Sequence, residues 1–279
     1  MALTRIEKFK QAGGRIISIA NALTAISFIL AMYFTGLLTS YGFNLAFEIL
    51  LILTGMLWLL LIYLYREELP KFLGNTILFE EFRHYKLHEV LKYIIHKSTI
   101  PAYILIFTEW FALYSILTLV PYVLSRTGYD SHYIGLIFAA EALCYSAMQP
   151  LIGYLLDRLT GRGYLLLFTS YVYTILLYIF PYHINNVQIV SLIIVLVGVT
   201  SAPFTPVTMY FYSKYAPKIE KLGMTMLITW GSLGASLGNL LITKIAQINI
   251  NLAFSTIALV LFIFINIVLL LLWKLNKNV

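Results

Sequence analysis

Long runs of apolar residues, each separated from the next by a short polar segment, dominate this sequence. Eight of the runs are long enough to cross the hydrocarbon core of a bilayer, which takes about 20 helical residues. They cover approximately residues 14–38, 43–65, 101–124, 132–156, 163–181, 187–212, 222–247 and 251–273. The runs are continuously apolar and lack the alternating pattern typical of barrel strands. The pattern therefore predicts an all-α polytopic membrane protein with eight transmembrane helices.

Composition and charge agree with a membrane protein. The mean hydropathy is +0.87, and only 11% of the residues are charged, which is too little polar surface for a soluble globule. The formal net charge of +7 does not indicate a nucleic-acid partner, because the basic residues other than Arg126 and Lys244 lie on alternate loops and at both ends of the chain. The positive-inside rule then predicts that both termini lie in the cytoplasm, and we expect a multi-pass protein of the plasma membrane.

Two short sequences recur in the same order within the same arrangement of spans. IEK occurs at 6–8 and 219–221, and NLAF occurs at 44–47 and 251–254. The first two spans therefore resemble a second copy of the last two, and parallel repeats of this kind build the two halves of one large transporter class. On this basis we expect three parts, which are the last two helices of an incomplete N-terminal half (1–66), a cytoplasmic linker with a surface helix (67–100) and a complete six-helix C-terminal half (101–279).

A charged corner interrupts the apolar sequence after the fourth span, in the stretch GYLLDRLTGR. Its glycine, Asp-Arg pair and Gly-Arg pair resemble the cytoplasmic loop signature of the major facilitator superfamily, and Gln149-Pro150 just before it resembles the family as well. The matching residues are Gly153, Asp157, Arg158, Gly161 and Arg162. Two residues separate Asp-Arg from glycine here, where the family usually has one.

The resemblance covers the family's helices 5 to 12 and implies that the first four helices are absent. It implies secondary transport of a small solute by alternating access. We separately expect no cofactor and no metal. It also implies that the corner is a cytoplasmic gate, in which Asp157 pairs with an arginine while the path is closed. The alternative is that these charges only fix the topology of the loop. An incomplete half further implies a partner, which is either a missing four-helix segment or a second copy of the chain.

Small polar residues form a stripe along the seventh span at helical spacing. Its members are Thr225, Thr229, Ser232, Ser236, Asn239 and Thr243, and three glycines, Gly231, Gly234 and Gly238, lie nearly opposite. We expect the stripe to face a substrate path and the glycines to pack closely on a neighbouring helix. The alternative is that the hydroxyl groups bond their own backbone.

Two prolines, Pro203 and Pro206, interrupt the sixth span. Because proline removes backbone hydrogen bonds, the helix is expected to bend or loosen near Thr200 and Thr205, both of which are candidates for the substrate path. The break would serve either as a flexing gate or as a kink without a role in transport.

Two carboxylates, Glu109 and Glu141, lie well inside their spans. An acid near the bilayer centre costs about 2.5–3.5 kcal/mol on insertion scales and by default indicates a functional site. Tyr145 and Gln149 follow Glu141 at i+4 and i+8 and extend a polar face along the fourth span. Both acids are candidates for proton coupling, and the alternative is a structural, permanently neutral or hydrogen-bonded acid.

The sequence thus favours a secondary transporter of a small solute, coupled to protons, in contact with membrane lipid. The chief alternative is a membrane scaffold or assembly protein that transports nothing. We expect no enzyme activity, because the HExxH motif does not occur in the sequence, and no use of ATP, because the GxxxxGK[ST] loop does not occur either.

Overall fold

The computed structural model describes residues 29–39, 42–64, 99–159, 162–215 and 220–277, and these residues are helical apart from short turns. Nine α-helices follow one another in the described parts of the chain. They are α1 (Ile29–Thr39), α2 (Phe43–Leu64), α3 (Ile100–Arg126), α4 (Ser131–Arg158), α5 (Thr169–Ile179), α6 (Val187–Ser201), α7 (Phe204–Tyr215), α8 (Glu220–Ile248) and α9 (Ile250–Lys277). Two 3₁₀ turns, Gly163–Phe168 and Phe180–His183, extend α5 at both ends.

Six segments of the described residues are long and apolar enough to cross a membrane. They are Ile100–Arg126, Ser131–Arg158, Gly163–His183, Val187–Ser213, Met226–Ile248 and Ile250–Leu275. The first two spans expected from the sequence are not among them. Residues 1–28 lie outside the described part, and several side chains of α2, a 22-residue apolar helix, lie outside it as well. The all-helical class is therefore confirmed for the described residues, whereas the count of eight spans stays a prediction. The linker at 67–100 lies almost entirely outside the described residues.

Side-chain caps and tight turns set where the helices begin. Asp130 accepts a hydrogen bond from the backbone N–H of His132 at 3.1 Å and caps α4, and Asn186 accepts from Gln188 and Ile189 and caps α6. Both side chains satisfy N–H groups that the first turn of a helix leaves free. Gly128 has a φ of +91°, and this left-handed conformation, which suits glycine, allows the sharp turn from α3 into α4.

The centre of the bundle is formed by the inward faces of α3, α5 and α9. Phe254, Ile257, Leu261, Ile265 and Val268 of α9 are each 0% exposed, and their spacing of three and four residues gives one continuous buried face. α9 packs along this face against α3 and α5. Many large apolar side chains on the opposite faces are exposed, which is the surface that a bilayer would cover.

The glycines of α8 allow it to pack directly on α3, as the sequence predicted. A β-carbon at Gly234 would collide with the backbone carbonyl of Phe107, and one at Gly231 would lie 2.7 Å from the ring of Trp110. A β-carbon at Gly238 would lie 2.5 Å from the carbonyl oxygen of Phe111. These close approaches explain why α3 and α8 form the most extensive helix pair in the described structure.

Replacing Gly234 with alanine is expected to lower the free energy of unfolding by about 1–3 kcal/mol, because an added methyl group must push two backbones apart. The thermal unfolding midpoint of the purified protein in detergent measures the effect. Gly55→Ala is the matched control, because a β-carbon there meets nothing within 4 Å and alanine favours a helix over glycine. Equal midpoints for the two variants would contradict close packing at Gly234.

The fourth apolar segment is interrupted where α6 ends at Ser201 and α7 begins at Phe204. Pro206 has no N–H to donate to the carbonyl of Ala202, four residues earlier. The side-chain amide of Gln149 on α4 donates to that oxygen instead, at 3.2 Å. The carbonyl of Thr200 likewise accepts from the hydroxyl of Thr169 at 3.0 Å. Side chains from two other helices therefore satisfy backbone groups that the break leaves free.

Candidate functional site

A cavity of about 320 Å³ lies within the bundle between α3, α4, α5, α6 and α7. Part of the cavity is the space between α3 and α4, which make little direct contact with each other. Most of its lining is apolar or aromatic, and two acids, Glu109 and Glu141, lie on its wall. The structure therefore brings together two acids from different helices that the sequence could identify only separately.

Glu109 on α3 reaches the start of α7 beside the proline break. The hydroxyl of Thr205 donates a hydrogen bond of 2.5 Å to Oε1 of Glu109, and the backbone N–H of Thr205 lies beside the same carboxylate. The break thus creates a helix N-terminus inside the bundle, and the backbone N–H of Thr205 and the positive dipole end favour a carboxylate. Oε2 of Glu109 is buried and has no hydrogen-bond partner among the described residues.

Glu141 on α4 is fixed through its backbone by a glycine of α6. A β-carbon at Gly198 would collide with the carbonyl oxygen of Glu141 and would lie 3.2 Å from its Cγ. Gly198 therefore lets α6 approach α4 at the level of this acid. The Glu141 residue is 9% exposed and its side chain lines the cavity, so a ligand in the cavity can reach its carboxyl group.

Two tyrosines share the cavity wall with both acids. Tyr145, one turn beyond Glu141, has its phenol beside Thr205 and Gln149 and within electrostatic reach of both carboxylates. Tyr173 of α5 lies within the same reach and is 2% exposed. Together with Thr205, these residues form the polar part of a cavity wall that is otherwise apolar.

The remaining residues that the sequence assigned to the substrate path lie elsewhere in the described structure. Gln149 and Thr200 are buried at the proline break, outside the cavity lining, and the Thr200 hydroxyl donates to Leu196 of its own helix at 2.8 Å. Thr229, Ser232 and Ser236 are exposed on α8. Asn239 accepts a hydrogen bond of 2.8 Å from Thr118 of α3. The side chain of Thr225 lies outside the described residues.

The residues of the charged corner lie at the end of α4 and just after it. Gly153 is buried within α4, and Asp157 is partly buried in its last turn. The guanidinium group of Arg158 lies over the ring of Tyr154, 4.5 Å from its centroid. Arg162 is exposed, and its N–H donates to the carbonyl of Leu159 at 2.8 Å. Gly161 lies outside the described residues.

Three residues of the site were not identified from the sequence. Trp110 and Tyr173 line the cavity, and Gly198 fixes the position of Glu141. Trp110 directly follows Glu109, so a search for aromatic neighbours of buried acids could have found it. Gly198 stands just before the Thr200 and Pro203 that were noticed, but a glycine in an apolar helix does not itself indicate which helix it contacts.

Six apolar helical segments, four of which surround a cavity that holds two carboxylates, are typical of a membrane transporter. The family model described as Major Facilitator Superfamily matches residues 99–278, which include all six of these segments. The chain therefore belongs to the major facilitator superfamily. Proteins of this family are membrane transporters that bind small-molecule substrates and lipids. Neither a curated protein nor a solved structure matches the chain.

Proposed function

We propose that this protein is a secondary active transporter that moves a small solute by alternating access and couples its movement to protons. The observation that supports this most directly is the pair of acids, Glu109 and Glu141, on the wall of one cavity beside a broken helix. Buried acids in membrane helices are expensive and commonly belong to proton or ion pathways. Broken helices form the binding sites of many transporters.

The contact between Glu109 and Thr205 suggests how protonation is linked to movement. An ionised Glu109 is held by the hydroxyl group and the backbone N–H of Thr205 at the start of α7. A protonated Glu109 is neutral and attracts that helix end less strongly. Because α7 is separated from α6 by the proline break, it can move relative to α6 with little loss of backbone hydrogen bonding. We infer that protonation of Glu109 releases α7 and that this movement changes access to the cavity.

Flux measurements in proteoliposomes test this function. Vesicles containing the purified protein are given an imposed pH gradient, and a set of unlabelled solutes is screened by the proton movement that each one causes, read from an internal pH dye. A coupled transporter moves protons only when its solute is present, and the solute accumulates with the gradient. A protein that moves no solute under either polarity of the gradient would instead fit a scaffold.

We further propose that the charged corner at Gly153, Asp157, Arg158, Gly161 and Arg162 is a gate on the cytoplasmic side. Asp157 lies at the end of α4, the same helix that carries Glu141. A helix that carries both a cavity acid and the corner can transmit a rearrangement from one to the other. The eight spans and the cytoplasmic position of both termini belong to the same proposal.

Replacing Asp157 with asparagine is expected to preserve the fold and weaken closure of the cytoplasmic side, because it removes a charge while keeping the shape. Accessibility of cysteines introduced near the corner to a membrane-impermeant reagent measures closure, in a Cys144→Ser background. Asp130→Asn is the control, because Asp130 lies at the opposite end of the same helix and asparagine caps a helix equally well. Unchanged labelling and unchanged transport in Asp157→Asn would remove the gate from the proposal.

The polar stripe of α8 supports the proposal that further helices cover this face and complete the substrate path. Thr229, Ser232 and Ser236 are exposed on α8, and the serine hydroxyl groups would be unfavourable facing hydrocarbon. We propose that additional helices cover this face, from either a four-helix segment or a second copy of the chain. These residues and Asn239 would then line the path together with Tyr145 and Thr205.

A further inference from the structure

The ionisable side chains of the cavity lining are all carboxylic acids or phenols, so any charge that they carry is negative. Among the described residues that line the cavity, Glu109 and Glu141 are acidic and none is lysine, arginine or histidine. The only other titratable groups on the lining are three tyrosines, Tyr114 of α3, Tyr145 of α4 and Tyr173 of α5. The lining residues of α6 and α7 carry no titratable side chain. A ligand in this cavity therefore meets two acids with no competing base.

Aromatic rings supply much of the remaining surface. The aromatic residues of the lining are Trp110, Tyr114, Phe138, Tyr145, Tyr173 and Phe180. The faces of such rings are negative in their charge distribution and attract cations within about 6 Å of the ring centroid, most strongly where water is excluded. The cavity thus combines two kinds of group, carboxylates and aromatic faces, that stabilise the same kind of charge.

The unpartnered oxygen of Glu109 leaves one hydrogen-bond acceptor of the site free for a ligand atom. Glu109 is 7% exposed and lines the cavity, and its Oε2 is buried without a hydrogen-bond partner among the described residues. A buried polar atom is costly unless something binds it. A proton or a positively charged ligand group can meet that requirement, whereas an anion would be repelled by both acids.

We propose that the cavity binds a lipophilic organic cation, in which a positive charge pairs with the two acids and an apolar or aromatic body fills the rest. A strongly hydrated cation such as a polyamine fits this wall poorly, because most of the wall cannot replace its water. The cavity volume of about 320 Å³ is within the range for drug-sized ligands. The inference rests on the proposed function, since it names the substrate class of the same site.

Proton and cation then compete for the same two carboxylates. Entry of the cation favours the ionised acids, and protonation of the acids expels the cation. A transporter that alternates between these two states exchanges one for the other across the membrane. The affinity for the cation is therefore expected to rise with pH in the range where the acids lose their protons, because fewer protons compete for them.

Binding of tetraphenylphosphonium to the purified protein in lipid nanodiscs tests this assignment without requiring transport. Equilibrium dialysis gives the bound amount, with empty nanodiscs subtracted for partition into lipid. Tetraphenylborate is the control ligand, because it has the same shape and nearly the same size with the opposite charge. We expect saturable binding of tetraphenylphosphonium that strengthens with pH, and no saturable binding of tetraphenylborate.

Two variants and one matched control connect the binding to the acids. Glu109→Gln and Glu141→Gln are each expected to weaken tetraphenylphosphonium binding roughly tenfold or more, because each removes one partner of a buried charge pair. Glu48→Gln is the control, because Glu48 lies exposed on α2 and is not on the cavity lining. If a variant fails to assemble, the test is the comparison of tetraphenylphosphonium with tetraphenylborate on the unmodified protein.

The outcomes separate this assignment from the transport function. Equal binding of the two tetraphenyl ions, or unchanged binding in both glutamine variants, would overturn the cation assignment even if another solute is transported with protons. Binding with the expected charge preference in a protein that shows no gradient-driven flux would support the cation site and contradict the transport function.

Discussion

Vesicles containing the Glu109→Gln variant are expected to lose accumulation of the solute driven by a pH gradient, down to the level of protein-free vesicles. The amide has nearly the shape of a protonated carboxyl group, and its oxygen can still accept the hydrogen bond that Thr205 donates to Glu109. It cannot bind and release a proton, so the solute can no longer be driven by protons. Exchange of labelled for unlabelled solute at equal concentrations should continue if the solute does not require the negative charge of Glu109 for binding.

Glu141→Gln provides the comparison that assigns the proton to one acid or to both. If a single acid carries the proton, one variant loses gradient-driven accumulation and the other retains it. If the two acids act as a pair, both variants lose it. Glu48→Gln, on the exposed face of α2, should behave like the unmodified protein. Retained accumulation in both cavity variants would show that Glu109 and Glu141 are structural, and proton coupling would then be wrong.

The features that depend on one helix at a time could be predicted from the sequence. Glu109 and Glu141 were identified because an acid in an apolar run is costly wherever the run packs. The glycines of α8 were expected to pack on a neighbour because a row of glycines at helical spacing lets two membrane helices approach closely. The structure confirms this packing and shows that the neighbour is α3.

The features that depend on which helices meet could not be predicted in this way. The position of Glu141 depends on Gly198, 57 residues later by their numbers in the sequence, and no local pattern connects the two. The convergence of Glu109 and Glu141 on one cavity likewise depends on α3 and α4 leaving space between them. Spacing along a helix determines the face on which a residue lies, but tertiary packing determines what that face contacts.

Gln149 shows the same limit in a single residue. Its i+8 spacing from Glu141 placed it on the polar face of α4, and the sequence interpreted it as part of the substrate path. In the structure it is 0% exposed, and its amide replaces the N–H group that Pro206 lacks. The sequence predicted a break at the prolines, but it could not show that a side chain from another helix would satisfy the carbonyl of Ala202.

Gln149→Leu is therefore expected to lower the free energy of unfolding by about 1–3 kcal/mol, because the buried carbonyl of Ala202 loses its hydrogen bond and leucine cannot replace it. The fall in the thermal unfolding midpoint of the purified protein measures this cost. Pro206→Ala alone should change the midpoint little, because the side-chain amide of Gln149 already donates a hydrogen bond to the carbonyl of Ala202.

The double variant Gln149→Leu/Pro206→Ala is the decisive measurement, because alanine at 206 restores an N–H group four residues after Ala202. If Gln149 acts by replacing that group, the double variant should recover most of the stability lost in Gln149→Leu, with an interaction energy of about 0.5–3 kcal/mol. A double variant that is as unstable as the sum of the single changes would mean that Gln149 contributes through packing instead. Recovery of stability without recovery of transport would show in addition that the break at the prolines, and with it the separate start of α7 that holds Glu109, is required for the transport cycle.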